Sequence, residues 1–333
     1  HPPPPFFFMI RLPPRATPLY SSAASDVYKR QLLDTLKERP LLGDGAMGTQ
    51  LQEAGLESGG CGEAWNLDAP DRVETIQRRY VEAGSDCLIT NTFGGSRIML
   101  ERHMENPDVV GINKAAVEVA RRAFGDLDGF VLGDIGPFGG LMEPYGEITR
   151  TEVERAFTEQ AQALVEAGAD AIIVETQTVL DEAGAAIAAA KAAGAPCVIA
   201  SMAFDLTHET RELRTMMGTD PDEAADFLEK AGADVLGLNC GTNIDMASAK
   251  AAVKRYRNCS ALPIMAQPNA GQPVLQNLKV IYNQTPDEMA SHAGDILDAG
   301  VDILGACCGS TPGHIDGLRD RMNQFIETQT KSE

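Results

Sequence analysis

The stretch Ala167-Gly-Ala-Asp170-Ala-Ile-Ile-Val174 decides the fold, because its first half is repeated along the chain. The phrase Ala-Gly-x-Asp occurs at residues 83–86, 167–170, 231–234 and 299–302, each time between a helix-like segment and a short apolar run. Glycine readily adopts the left-handed conformation that follows a helix, and an apolar run is typical of a strand buried on both faces of a parallel sheet. Each copy therefore predicts a point where a helix passes into a strand.

Helix starts are marked by capping residues. Thr285-Pro286-Asp287-Glu288 combines a capping Thr, a Pro at the first helical position and a Glu placed to bond back to the cap, and Asp220-Pro221 begins in the same way. With the repeats, these signals place strands near residues 41, 86, 131, 170, 197, 234, 263 and 302. Units of roughly 37 residues are long enough for parallel crossovers. We predict an α/β fold, a (β/α)8 TIM barrel, with an open doubly wound sheet as the alternative.

The first 31 residues differ from the rest in composition. They hold seven of the 19 prolines and are net basic, whereas the remainder of the chain is strongly acidic. Their apolar run at residues 6–10 is too short for the core of a signal peptide. We predict that residues 1–31 are a non-native or disordered segment and that residues 32–333 form the barrel.

Charge and composition exclude several classes of function. The 333-residue chain has 48 acidic and 28 basic side chains and a formal charge of −20 at pH 7. Nucleic-acid binding depends on clustered Lys and Arg, and a membrane-spanning helix needs ~20 mostly apolar residues in succession. We therefore expect no nucleic-acid partner and no membrane span. Seven irregularly spaced cysteines do not fit a secreted disulfide framework, so we expect a cytoplasmic protein.

Polar side chains follow nearly every predicted strand. In a (β/α)8 barrel the functional residues lie at the carboxyl ends of the strands. The candidates at these positions are Asp44, Asn91, Thr92, Asp134, Glu175, Thr176, Asn239, Cys240, Gln267, Asn269, Cys307 and Cys308. This concentration of acids and cysteines on one rim predicts a functional site there.

The three cysteines on this rim are the chemical centre of the prediction. Cys240 follows the sixth predicted strand, and Cys307 and Cys308 follow the eighth, so the sulfurs can converge. Adjacent strand residues point to opposite faces, so both reach one site only beyond the end of the strand, where Gly309 permits a turn. Three thiolates with an open fourth position are typical of a catalytic zinc site. A structural Cys240 beside an incidental vicinal pair, or a Cys307–Cys308 disulfide, is the alternative.

Six short phrases occur in a characteristic order along the chain. They are DGAMGT (44–49), TNTFG (90–94), ET (175–176), GLNC (237–240), PNAG (268–271) and GACCGSTP (305–312). In these phrases the sequence resembles the homocysteine S-methyltransferase family, and within it most closely the homocysteine-binding module of cobalamin-dependent methionine synthase. The paired Cys-Cys-Gly after a distant Asn-Cys is the specific element. The resemblance covers residues 32–327.

The resemblance implies a metal site. Cys240, Cys307 and Cys308 would bind zinc, which would coordinate the sulfur of homocysteine. Asn269 would supply an oxygen ligand to the zinc when substrate is absent. A role for Asn269 in a turn is equally compatible with the sequence.

The resemblance also implies substrate contacts. Asp44 and Glu175 would hold the amino group of homocysteine, and the backbone amides of Gly45, Ala46 and Met47 would bind its carboxylate. These roles match the needs of an α-amino acid, whose ammonium group requires an anionic partner and whose carboxylate requires amide donors. Asn91 would be a further polar contact. Asp44 as a helix cap and Glu175 in a buried ion pair are the alternatives.

The implied activity is methyl transfer to homocysteine, with the zinc-bound thiolate as nucleophile, methionine as product and no catalytic side chain beyond the zinc site. The resemblance favours methylcobalamin on a separate corrinoid protein as donor. Betaine, S-methylmethionine or another onium donor is the alternative; it would require an aromatic or carboxylate cage, for which the aromatic candidates are Trp65, Phe93, Phe138 and Tyr145. A non-catalytic homocysteine-binding subunit of a methyl-transfer complex is a second alternative.

Two further features carry less weight. The loop at residues 43–48 fits the G-x-G-x-x-G dinucleotide fingerprint, but Asp44 within it would repel a pyrophosphate, and the repeats favour a barrel. None of the five histidines is expected to bind metal. We expect His292 and His314 on the solvated faces of helices.

Overall fold

Eight parallel strands form one sheet in the computed structural model, which describes residues 32–330 except 208, 243, 277 and 278. The predicted disordered segment, residues 1–31, lies outside the described residues. In chain order the strands are β1 (Leu41–Leu42), β2 (Cys87–Ile89), β3 (Phe130–Ile135), β4 (Ala171–Gln177), β5 (Val198–Met202), β6 (Asp205–Leu206), β7 (Leu213–Arg214), β8 (Val235–Asn239), β9 (Ile264–Gln267), β10 (Pro273–Gln276), β11 (Lys279–Tyr282) and β12 (Ile303–Leu304). The pairs β6–β7 and β10–β11 are separate antiparallel hairpins, and the other eight strands lie where the sequence predicts them.

Helices separate the barrel strands and pack outside them. They are α1 (residues 32–38), α2 (Gly48–Glu53), α3 (Trp65–Asp68), α4 (Pro70–Glu82), α5 (Arg97–Leu100), α6 (Val109–Phe124), α7 (Arg150–Glu166), α8 (Leu180–Ala192), α9 (Pro221–Ala231), α10 (Met246–Cys259), α11 (Pro286–Ala290), α12 (Ala293–Asp298) and α13 (Pro312–Thr330). The predicted caps are present: Thr285 and Glu288 form a capping box, and the Asp220 carboxylate accepts two backbone N–H groups. Over the described part of the chain, no helix has the length and apolar character to span a membrane.

The first and last barrel strands along the chain, β1 and β12, pair with each other. Leu41 and Leu42 of β1 lie in parallel register with Ile303 and Leu304 of β12. The sheet order β1-β12-β9-β8-β5-β4-β3-β2 leaves one seam, between β1 and β2. The (β/α)8 prediction is confirmed, and the open doubly wound sheet is wrong, because β1 pairs with β12 on one side and Leu42 of β1 is hydrogen-bonded to Asp86, next to β2, on the other.

Aspartates bridge the remaining seam. The Asp86 carboxylate accepts the backbone N–H of Leu42 (2.7 Å), and the backbone N–H of Asp86 donates to the Leu42 carbonyl (2.7 Å). On the same seam, Asp44 Oδ2 accepts the N–H of Ile89 (2.8 Å). Side chains thus supply hydrogen bonds where the strand ladder does not, as buried backbone groups require.

The bond made by Asp86 recurs at every Ala-Gly-x-Asp repeat. The other three aspartates, Asp170, Asp234 and Asp302, accept the N–H groups of Val131, Val198 and Ile264, respectively, at 2.7–3.0 Å. Each of the three also pairs with a cation: Arg121, Lys191 or Arg257. The repeat glycines have φ between +89° and +100°, the left-handed conformation that the sequence predicts. Each repeat therefore ends one helix and ties its strand to the preceding one, so the barrel is built from four two-strand units.

The barrel lumen is filled by alternate strand residues. The inward-facing apolar residues are Leu41, Cys87, Phe130, Leu132, Ala171, Ile173, Cys197, Ile199, Val235, Met265 and Ile303. Since successive strand residues alternate between faces, two more residues along β3 and β4 bring Asp134 and Glu175 to the same lumen. The site is therefore built directly above a packed apolar core.

Candidate metal and substrate site

A cavity of ≈ 580 Å³ opens at the carboxyl ends of the barrel strands. Ten residues were given a metal or substrate role from the sequence, and nine of them line the cavity: Asp44, Gly45, Ala46, Met47, Asn91, Glu175, Cys240, Cys307 and Cys308. Polar lining residues without an assigned role include Thr49, Glu63, His103, Asp134 and Gln267. The cavity therefore gathers residues from β1 to β12 into one site.

The three predicted metal-binding cysteines converge. The Sγ atom of Cys240 lies 2.7 Å from that of Cys307 and 3.3 Å from that of Cys308, and the Cys307 and Cys308 sulfurs are 3.9 Å apart. All three cysteines are free in the structure, which has no Cys307–Cys308 disulfide. Three sulfurs within 4.8 Å of one another can bind a single metal ion.

Local backbone geometry turns the sulfurs toward one another. β8 ends at Asn239, and Cys240 then adopts φ +31°, a left-handed conformation that is uncommon outside glycine. β12 ends at Leu304, so Cys307 and Cys308 both lie beyond the strand, before Gly309 at φ +79°. The alternation of side chains between the two faces of a strand therefore does not apply to these two cysteines.

The PNAG segment supports this cysteine pair. The N–H of Cys307 donates to the Pro268 carbonyl (2.9 Å), and the N–H of Ala270 donates to the Cys308 carbonyl (3.0 Å). Between them, Asn269 donates its side-chain amide to the Gly241 carbonyl (3.1 Å), which leaves Asn269 Oδ1 3.3 Å from Cys240 Sγ. Asn269 is not among the residues lining the cavity, but its oxygen lies beside the sulfurs.

This donor set fits zinc. Three soft sulfurs with an open side toward a cavity match a catalytic zinc site, and the neighbouring amide oxygen is a suitable fourth ligand. Thiol hydrogen bonds from Cys240 and Cys307 lower the pKa of Cys308 to about 3. A lowered thiol pKa favours the thiolate, the form that binds metals.

Carboxylates occupy another wall of the cavity. Asp44 is 2% exposed, and its Oδ1 atom has no hydrogen-bond partner. Burial raises the pKa of Asp44 well above its ordinary value, and the Glu175 carboxylate raises it further. Burial also raises the pKa of Glu175 to about 7, with a contribution from Cys308. No Lys or Arg lines the cavity within the described residues, so these acids suit a cationic ligand.

The glycine-rich loop at residues 43–48 does not offer all of its predicted backbone N–H donors to a ligand. The N–H of Ala46 donates to Ser310 Oγ (2.9 Å), so it is engaged within the protein. The prediction that Ala46 binds the substrate carboxylate is corrected on this point, which leaves Gly45 and Met47 as candidates. A Cβ at Gly45 would lie 2.6 Å from Ser310 Oγ and 2.8 Å from the Tyr80 ring, which explains the glycine.

Asn91 has a structural role that the sequence does not reveal. Its side-chain amide donates to the Gly62 carbonyl (2.8 Å) and to Asn66 Oδ1 (3.1 Å). These bonds tie the loop after β1 to the end of β2, so the Asn91 amide is not free to donate to a ligand. A substrate contact through its carbonyl oxygen stays a prediction.

Aromatic residues do not form a cage around the cavity within the described residues. Of the four candidates, only Phe93 lines the cavity. Trp65 packs against the core with the Arg72 guanidinium 5.0 Å from its ring, Phe138 is 1% exposed, and Tyr145 is 82% exposed.

The expected exposure of His314 is wrong. The side chain is buried, because its ring is held between the Thr311 hydroxyl (3.0 Å) and the Gln284 carbonyl (2.9 Å). His292 is exposed, as expected, and His103 lines the cavity.

Asn239 links the acid and sulfur walls of the site, and sequence reasoning assigned it no role. Its Oδ1 atom accepts hydrogen bonds from Ser201 Oγ (2.7 Å) and from the N–H of Thr176 (3.1 Å), and its Nδ2 donates to Thr176 Oγ1 (2.6 Å). Thr176 follows Glu175 and has φ +56°, and Cys240 follows Asn239. One side chain therefore sets the positions of both walls; its signal in the sequence is the Asn-Cys dipeptide.

Comparisons with known proteins agree with this geometry. Residues 41–322 match the sequence profile of a family described as homocysteine S-methyltransferase. The chain is 35% identical over 310 residues to the methionine synthases of Mycobacterium leprae and Mycobacterium tuberculosis. Each alignment covers 89% of this chain but only 25% and 26% of the respective relative. The chain thus spans about a quarter of the length of the curated relatives it matches.

Solved structures show the same fold. The metallated form of the homocysteine methyltransferase MmuM from Escherichia coli superposes with a TM-score of 0.70 at 23% identity, covering 88% of this chain and 99% of that one. Its apo form superposes with a TM-score of 0.64 at 24% identity. At these identities the likeness concerns the fold alone, and it agrees with the closed barrel described above.

Proposed function

The chain belongs to the homocysteine S-methyltransferase family, and from this premise we propose that it transfers a methyl group to the sulfur of homocysteine, forming methionine. The observation that carries the proposal is the convergence of three cysteine sulfurs, the buried acid Asp44 and the half-buried acid Glu175 in one cavity. A sulfur-rich wall suits the thiol of homocysteine, and an acidic wall suits its ammonium group. The two walls together match the two ends of this amino acid.

Cys240, Cys307 and Cys308 would hold a zinc ion, and Asn269 Oδ1, 3.3 Å from Cys240 Sγ, is placed to complete the ligand set before substrate binds. When bound, zinc would lower the pKa of a coordinated substrate thiol, so that the nucleophilic thiolate is present at neutral pH.

The side chains of the protein would bind and orient the substrate. Asp44 and Glu175 would accept N–H groups of the ammonium, and the N–H groups of Gly45 and Met47 would donate to the carboxylate. Holding both ends of homocysteine directs its sulfur toward the cysteines, and alignment of this kind is a recognised source of rate. No general base on the protein is needed, since metal binding itself releases the thiol proton.

We propose methylcobalamin on a separate corrinoid protein as the methyl donor. One observation supports this choice over an onium donor: the chain is similar to methionine synthases over most of its length.

The decisive experiment measures methionine formation by zinc-replete protein from homocysteine and free methylcobalamin, with betaine and S-methylmethionine as parallel donors. We expect turnover with methylcobalamin. Turnover with an onium donor alone would overturn the proposed donor but keep the proposed reaction. Homocysteine binding without turnover for any donor would favour a binding subunit, and absence of homocysteine binding would refute the proposal altogether.

A further inference from the structure

Asp134 is a buried carboxylate in the cavity that the proposed function does not use. It lies in β3 and is 2% exposed, and it lines the same cavity as Asp44 and Glu175. The alternation of β3 directs it into the lumen above Phe130 and Leu132. It therefore faces the space that the substrate would occupy.

The backbone of Asp134 is held on both sides by side chains. Its N–H donates to Thr90 Oγ1 (3.0 Å), and its carbonyl accepts hydrogen bonds from Thr92 Oγ1 (2.8 Å) and Gln160 Nε2 (3.0 Å). All three partners belong to buried groups, so the backbone here has little freedom to move. A rigid backbone of this kind holds a side chain in a fixed position, as a binding residue requires.

The carboxyl group of Asp134, in contrast, is not satisfied. Its Oδ1 atom is buried without a hydrogen-bond partner. Burial raises the pKa of Asp134 well above its ordinary value, and the carboxylates of Glu175, Glu63 and Asp44 raise it further. A buried carboxyl surrounded by other acids is costly unless a cation joins them.

Glu63 is the natural comparison, because it is a further acid lining the cavity. Its Oε1 atom accepts the N–H of Gly94 (2.7 Å), and its Oε2 atom lies 3.4 Å from the Cys61 thiol. Glu63 therefore already has partners within the protein, whereas Asp44 and Asp134 each keep an oxygen without one.

We propose that Asp134 is a third acceptor for the ammonium group of the substrate and thereby selects thiols that carry an α-amino group; this inference rests on the proposed function. An ammonium group has three N–H donors, and Asp44, Asp134 and Glu175 supply three carboxylates, one for each donor. Asp44 must also hold the N–H of Ile89 at the barrel seam. A substitution at Asp134 therefore tests ammonium binding more directly than a substitution at Asp44.

The test compares two thiols that differ only in the amino group. L-homocysteine and 4-mercaptobutanoate share thiol, carboxylate and chain length, and their dissociation constants are measured by calorimetry on the zinc-loaded full chain. For Asp134→Asn we expect homocysteine binding to weaken by about 10- to 100-fold, with 4-mercaptobutanoate changed by no more than about twofold. Glu63→Gln is the matched control, and it should leave the ratio of the two constants within about threefold of wild type.

Other outcomes would contradict the assignment. An equal loss for both thiols would mean that Asp134 only supports the fold, and unchanged constants for both thiols would mean that it does not contact the ammonium group. If Asp134→Asn does not fold, two other experiments take its place. One repeats the comparison with Asp134→Ser, and the other measures the binding of N-methyl-L-homocysteine to the wild-type protein. The N-methyl compound lacks one N–H donor, so affinity equal to that of homocysteine would overturn the proposal. Failure of wild-type protein to bind homocysteine would instead refute the proposed function.

Discussion

Two residues with uncommon backbone conformations lie where the site needs them. Of the non-glycine residues with positive φ in the described chain, Thr176 (+56°) follows Glu175 at the end of β4, and Cys240 (+31°) follows the end of β8. Such conformations cost free energy and persist where surrounding contacts enforce them, often at functional sites. The hydrogen bonds of Asn239 to Thr176 provide that enforcement. A sequence does not show positive φ at residues other than glycine, so this feature became apparent only in the folded structure.

Replacing Cys308 tests the metal site. We expect Cys308→Ser to weaken zinc binding by at least about tenfold, because one of three sulfur ligands is lost. Zinc content is measured after dialysis against a chelator. Cys259→Ser is the matched control, since Cys259 is exposed and lies outside the cavity. Retention of zinc by Cys308→Ser, or full activity of metal-free wild type, would refute a zinc-dependent reaction.

Glu182 is a buried acid, and we expect its charge to destabilise the fold. It is 4% exposed and accepts the N–H of Phe138 (2.8 Å), and burial raises its pKa from 4.5 to about 7. The folded state therefore holds more protons than the unfolded state between these values. By linkage, the free energy of unfolding falls as pH rises through this window, and the full penalty is present above pH ~7.

Glu182→Gln should remove this penalty while keeping the acceptor for Phe138. At pH ~8 we expect the variant to be more stable than wild type by about 1–3 kcal/mol, with the difference disappearing below pH ~4. Urea denaturation across this pH range measures it. Glu229→Gln, at an exposed position of α9, is the control and should change stability by less than ~0.5 kcal/mol. A stability difference that does not vary with pH would contradict the explanation.

At the scale of elements, the Ala-Gly-x-Asp repeats explain both the spacing and the pairing of the strands. The glycine ends a helix, the apolar run forms the next strand, and the aspartate bonds back to the strand before it. The first two functions act within the repeat itself and could be predicted from the sequence. The third joins residues about 40 positions apart, such as Val131 and Asp170 (separation 39), and became visible only in the folded chain.

Asp170→Ala tests this tie. The substitution leaves the buried N–H of Val131 without its acceptor and Arg121 without its carboxylate partner. We expect a loss of about 1–3 kcal/mol in the free energy of unfolding, measured by urea denaturation. Asp126→Ala, at an exposed position after α6, should cost less than ~0.5 kcal/mol. Equal effects of the two substitutions would show that the hydrogen bond between Val131 and Asp170 contributes nothing to the free energy of unfolding.

The two hairpins were not predicted. β6–β7 and β10–β11 lie in loops at the carboxyl ends of β5 and β9, outside the eight-strand repeat. The second hairpin brings the Tyr282 ring against Gly309, beside the cysteine pair. Short strands that pair only within their own loop carry weak periodicity, so alternation along the sequence is a poor guide to them.

At the scale of the whole molecule, net charge opposes compactness. A formal charge of −20 produces self-repulsion in the folded state, while the exposed ion pairs contribute little individually. We therefore expect the thermal midpoint to rise by about 2 °C or more between about 20 and about 200 mM NaCl, because salt screens the repulsion. A midpoint that falls with salt in scanning calorimetry would mean that ion pairs dominate.

Local signals were sufficient for the architecture and for the list of candidate residues. Capping residues, left-handed glycines and apolar runs act on their immediate neighbours, so eight strands could be placed within a residue or two. Nine of the ten residues given a metal or substrate role line one cavity. Whether each polar group is free to bind a ligand was decided by tertiary structure. Ala46 donates to Ser310, 264 residues away, whereas the Asp134 carboxyl keeps an oxygen without a partner. Hydrogen-bond partners so distant in the chain become neighbours only when the barrel closes.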